Sequence, residues 1–108
     1  MERTSALRTG LVGTYRIVVA DEHTAPFVGS GKVRVLATPV MINLFEAAAL
    51  AAIEDRLPPG YQSLGTVLNV RHIAATPVGM RIFAEAKVVR VENRTIFLEV
   101  REIGRAHV

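Results

Sequence analysis

Thr38, Glu46 and His72 are the side chains in this sequence best suited to chemistry, and their spacing limits how they act together. Glu46 lies inside "VMINLFEAAALAAIEDRL", which starts at Val40 and is otherwise apolar or alanine until its charged end. An unpaired ionised carboxylate in a core is costly, so Glu46 must be paired, protonated or turned to a polar pocket. Asn43 stands one turn earlier and shares its face. A narrow wet stripe or a subunit contact would also account for Glu46; a catalytic or orienting carboxylate is the functional reading. His72, in "TVLNVRHIAATP", exchanges a proton near neutral pH, although a single imidazole in a strand is often only structural. Thr38 offers a hydroxyl, and helix capping explains it equally well. Eight residues separate Thr38 from Glu46, about 12 Å along a helix axis. One site holding both therefore needs a bridge: substrate, His72 or a second subunit. Gly65, in "SLGTVLN", marks either a strand bulge or a place where another group comes close to backbone.

The elements that must position these residues are legible from periodicity. Residues 11–20 form an apolar, β-branched run and read as a strand. Residues 21–31 read as loop, and Gly29-Ser30-Gly31-Lys32 as a flexible turn, since no complete phosphate-binding glycine motif follows. A helix is expected from about 39 to 56, with Thr38 as N-cap, Pro39 at its first position and Pro58-Pro59-Gly60 ending it. It is apolar nearly all round, which predicts burial on most sides, with Glu54, Asp55 and Arg56 emerging into water. Three further strands are expected: "SLGTVLNVRHIAATP", then "GMRIFAEAKVVRVE", then "RTIFLEVRE" after a turn at Glu92-Asn93. In the second, Ile82, Ala84, Ala86 and Val88 alternate with Arg81, Phe83, Glu85 and Lys87. Asn93-Arg94-Thr95 spells a glycosylation sequon but reads as turn chemistry. One long apolar helix among antiparallel strands needs a sheet that curls around it, giving an α+β class in a single domain, 1–108.

Composition narrows the function. The 108 residues are half hydrophobic, which argues for a packed core. No uncharged run reaches the roughly 20 residues of a membrane span, and "MERTSALRTG" has no apolar region of a secretory signal. Without cysteine there is no disulfide frame and no thiolate nucleophile, and a cytoplasmic location is the expectation. Three dispersed histidines, His23, His72 and His107, make a poor metal site, so none is expected. The net charge of +3 comes from scattered basic residues, with two Tyr and four Phe to stack on bases, so no nucleic-acid partner is expected. The excess suits a phosphate-bearing small ligand.

Together these residues resemble the hotdog-fold thioesterases, most closely the fluoroacetyl-CoA thioesterase-like family. "VLATPVMINLFEAAA" is similar to that family's helix entry, with Thr-Pro and a Glu eight residues after the Thr; "SLGTVLNVRHIAATPVGM" resembles its Gly-Thr…His…Ala-Ala-Thr-Pro strand. The likeness runs from about residue 9 to residue 101. It implies a curved antiparallel sheet wrapped around the helix and a homodimer with sheets joined edge to edge. It also implies hydrolysis of a small acyl-CoA at the dimer interface. By position Thr38, Glu46 and His72 correspond to the catalytic trio and Gly65 to a glycine lining the substrate, with Asn43 a further substrate-side residue. No separate cofactor is implied, because coenzyme A is part of the substrate. The rival readings are a non-catalytic acyl-CoA-binding protein and a hydratase or dehydratase on the same fold. Residues 102–108, "EIGRAHV", match the translation of a sequencing-library adapter in one frame and stand where the family carries one more strand, with basic residues near the ligand.

Overall fold

The computed structural model describes residues 6–72 and 74–105. Strand β1 (Val12–Val18) leads through a one-turn 3-10 helix (Asp21–His23) and a short helix α1 (Ala25–Val28) to the long helix α2 (Thr38–Ile53). A second 3-10 turn (Glu54–Arg56) follows, and strands β2 (Arg81–Glu92) and β3 (Thr95–Arg105) close the chain. The sheet is antiparallel in the order β1-β2-β3. Residues 102–105 continue β3, while His107 lies outside the described residues.

Alternation in β2 decides which face the helix covers. Ile82, Ala84, Ala86 and Val88 are all completely buried, as the period-2 pattern predicts, and Arg81, Phe83, Glu85 and Lys87 point the other way. Against that face α2 lays Met41, Leu44, Phe45 and Ala48, spaced to fall on one side of a helix. Two of the facing β2 residues are alanines and the neighbouring β1 residue is Gly13, so helix and sheet come very close. A methyl group built on Gly13 would overlap the backbone of Ala48 and Ala52. The second cluster, Leu7, Leu11, Ala52, Ile53 and Val88, extends this seam to the far end of α2. The β2–β3 hairpin turns at Asn93, whose φ of 53° lies in the left-handed region that asparagine tolerates.

The sequence reading is corrected in three places. Residues 21–28 hold short helical turns where loop was expected. Residues 63–77, expected as a strand, form none among the described residues and hold only an isolated bridge at Pro77. A β-branched run becomes a strand only beside an edge that supplies its hydrogen bonds, and among the described residues such contacts are confined to its end, where Val35 and Leu36 meet Pro77 and Thr76. Val70 still packs on the core, whereas Leu64 and Val67 are 85% and 89% exposed. Finally, α2 is buried on one face only: Asn43, Glu46, Leu50 and Ala51 are exposed, so Glu46 is not enclosed within the single chain.

One acidic side chain does face inward. Glu102 pairs across the sheet with the buried Ala84 and therefore shares the helix-facing side of β3. Its Oε2 is buried without a hydrogen-bond partner. Burial raises its pKa above the ordinary carboxylate value, and the positive form of His72 pulls in the opposite direction.

Two outcomes follow from this packing. Gly13→Ala should destabilise the fold by about 3 kcal/mol, because overpacking here meets backbone and not a side chain that could rotate; a lowered urea midpoint with unchanged slope would report it. Glu102 holds its proton to higher pH when folded than when unfolded. Its favourable contribution is therefore full below the unfolded pKa and lost as pH rises through the folded one. Glu102→Gln should accordingly raise the melting temperature at about pH 8 and give no gain at about pH 4, as thermal unfolding across that range would show.

Candidate functional site

Thr38 is the first residue of α2, and its Oγ1 lies 2.7 Å from Nδ1 of His72. Thr38 thus makes no capping bond. Ala37 takes the N-cap position without a side-chain contact, and the hydroxyl expected to cap the helix turns to the imidazole. Backbone pairing just outside the helix creates this meeting. Leu36 donates its N–H to the carbonyl of Thr76 at 2.8 Å, and Val35 bridges to Pro77. Those two strand-like contacts clamp the chain before α2 to the chain after His72. Ala37 N–H also bonds to the carbonyl of His23 at 2.9 Å, tying in the 3-10 turn. The ring of His23 is used locally, its Nδ1 accepting the N–H of Ala20 at 2.9 Å.

The Thr38–His72 contact has the distance that a proton transfer between the two side chains requires. With Nδ1 unprotonated the ring accepts a hydrogen bond from the threonine hydroxyl; with Nδ1 protonated it donates to Oγ1. Nε2 of His72 is buried and has no hydrogen-bond partner among the described residues. The nearby carboxyl of Glu102 adds an acidic group to these surroundings that the sequence reading did not single out. A signal for it was present: Leu98, Val100 and Glu102 share one parity in β3, the parity that faces the helix.

The pair opens on a cleft of about 360 Å³ whose lining includes Thr38, His72, Val35, Leu36, Ala74 and Ala75. Small apolar walls around one hydroxyl and one imidazole suit a compact, weakly polar group held against an acid–base couple. The loop 30–33 forms another wall, so the stretch read as a mere turn borders the site.

Glu46 and Gly65 form a second meeting point. A Cβ on Gly65 would stand 2.9 Å from Oε2 of Glu46, so the glycine leaves room that the carboxylate occupies. Both are exposed, and Glu46 makes no hydrogen bond within the described residues. Asn43 lies on the same exposed face, one turn away. The single chain therefore joins Thr38 to His72 and Glu46 to Gly65, but no bond links one pair to the other. Among the described residues no group of three His, Asp or Glu is placed to hold a metal.

Comparison with known proteins places the fold and the family. The family model for the fluoroacetyl-CoA-specific thioesterase matches residues 19–106. A fluoroacetyl-CoA thioesterase from Streptantibioticus cattleyicolor is 42% identical over 62 residues, 57% of this chain and 45% of that protein. The match thus spans less than half the length of that curated relative. Among solved structures, a point mutant of the fluoroacetyl-CoA thioesterase in complex with fluoroacetate superposes with a TM-score of 0.80 at 32% identity, covering 91% of this chain and 83% of the other. A second mutant, in complex with fluoroacetate and CoA, gives 0.78 at 33% identity, covering 91% and 88%. A hypothetical protein of Thermus thermophilus, described as a thioesterase superfamily member, gives 0.83 at 27% identity, covering 91% and 72%. With the helix-on-sheet architecture and the threonine–histidine pair in place, this chain has the hotdog fold and belongs to the fluoroacetyl-CoA-specific thioesterase family.

Proposed function

We propose that the protein hydrolyses a small acyl-CoA thioester to the free acid and coenzyme A. The observation that carries this reading is the 2.7 Å contact between the Thr38 hydroxyl and His72 Nδ1 at a small apolar cleft. Thioester hydrolysis needs a nucleophile, a base to take its proton and an acid to return a proton to the departing sulfur. His72 serves as base and then as acid. Two routes use the same pair. In one, water loses a proton to His72 while Thr38 orients the imidazole or the carbonyl; in the other, Thr38 itself attacks and water cleaves the resulting ester. In both, the C–S bond breaks from a tetrahedral intermediate and the thiolate takes the proton held by His72. The backbone beside Gly65 is a candidate donor to the oxyanion. The CoA thioester named for its relatives supports the substrate class, which would also place the enzyme in the cytoplasm.

The working unit in this reading is a homodimer. Its support is what one chain leaves bare: a segment without a strand ladder, with Leu64 and Val67 in water, beside a helix face exposing Asn43, Glu46 and Leu50. A second copy pairing with segment 61–70 would satisfy its backbone, cover those side chains and take Glu46 out of bulk solvent. Glu46 would then complete the acid–base set or orient it.

Glu46→Gln and His72→Ala should each lower kcat by at least about 100-fold in thiol-release assays on a panel of acyl-CoA esters. Unchanged turnover in both would remove the assigned site. Saturable acyl-CoA binding without thiol release would favour a binding protein, and hydration of an enoyl-CoA with its thioester intact would favour a hydratase. By light scattering the protein should have twice the chain mass of 11.8 kDa, and Val67→Lys should shift it toward monomer and reduce turnover with it.

A further inference from the structure

We propose that Lys32 selects the acyl group, favouring a short acyl chain that ends in a carboxylate. This rests on the thioesterase reading above and specifies its substrate class. Lys32 lines the same cleft as Thr38 and His72, and the lining contains no Asp or Glu to neutralise it. Its loop is anchored on both sides. Gly29 closes α1 in the left-handed region with φ of 81°, and the Ser30 N–H bonds to the carbonyl of Ala25 at 2.9 Å. Beyond it, Val35 bridges to Pro77. The neighbouring cation is engaged elsewhere: Arg34 holds Oδ1 of Asp21 through Nε at 3.0 Å and through an Nη atom at 2.7 Å. Lys32 is therefore the one side chain in the lining with a permanent positive charge, and it has no partner among the described residues.

Reach decides which anion it meets. Lys32 shares a cleft of about 360 Å³ with the Thr38–His72 pair, and its four-carbon side chain is long enough to carry the ammonium toward the acyl end of a thioester held at that pair. The pantetheine arm of coenzyme A is roughly four residue lengths long, about 14 Å when extended, and carries its phosphates beyond a cleft of this size. The anion at Lys32 is then the far end of the acyl chain. Val33, Val35 and Leu36 flank the intervening two or three methylenes.

The test compares succinyl-CoA with butyryl-CoA, and the corresponding S-acyl pantetheines, which lack the nucleotide phosphates. The native enzyme should show higher kcat/KM for the succinyl ester. Lys32→Met should reduce the succinyl-to-butyryl ratio about tenfold, and Lys32→Glu should reverse the preference, equally in the CoA and pantetheine series. A ratio unmoved by both substitutions overturns the proposal. So does a loss confined to the CoA series and equal for both acyl groups, which would assign Lys32 to a nucleotide phosphate. Absence of thiol release from every ester would instead remove the thioesterase reading itself, a result distinguishable from either.

Discussion

The approach of α2 to the sheet is the constraint on which the rest of the structure depends. It is set by missing side chains: Gly13 on β1 and the alanines at 84 and 86 on β2 leave a shallow trough, and the helix backbone at Ala48 and Ala52 lies in it. Larger residues at these places would lift the helix and open voids around Met41, Leu44 and Phe45, which close the core from the helix side. Because α2 is held so near the sheet, its first residue has a defined position in space. The chain entering the helix can then pair with residues 76–77, which return from the other side of the site.

From that docking the site assembles in two parts with different physics. The Thr38–His72 contact is made within one chain, between a helix start and a returning segment, and it needs no partner to exist. The Glu46 carboxylate faces the opposite situation. It stands on the uncovered side of the same helix, against a glycine on a segment that itself lacks a strand partner. An apolar helix with one bare face and a segment without a strand ladder beside it leave the same group of residues uncovered. Covering them would take the carboxylate out of bulk solvent.

Charge around the cleft is arranged economically. Arg34 is tied to Asp21 at the surface, and Glu102 sits behind His72 on the helix-facing side of β3. Lys32 alone brings a fixed positive charge to the lining, on a loop pinned at both ends. The cleft thereby combines an acid–base couple, apolar walls and one cation, three features drawn from separate parts of the chain.

Much of this was legible in the linear sequence. The alternation of Ile82, Ala84, Ala86 and Val88 assigned the buried face of β2, and Pro39 with Pro58-Pro59-Gly60 bounded the helix, because these signals are local and depend on side-chain period and backbone chemistry. The chemical candidates were also visible by residue type. Their partners were not. Thr38 has the composition of an N-cap, and only the pairing of residues 35–36 with 76–77 turns its hydroxyl toward an imidazole 34 positions away. Residues 61–70 have the composition of a strand, yet a ladder exists only where a second edge is present, which composition cannot supply. The sequence by itself determined the long helix, the β2–β3 hairpin and the face that β2 would bury. Tertiary structure alone decided which polar groups met and which were left facing solvent, since a hydrogen bond depends on distance in space and spacing along the chain does not set it.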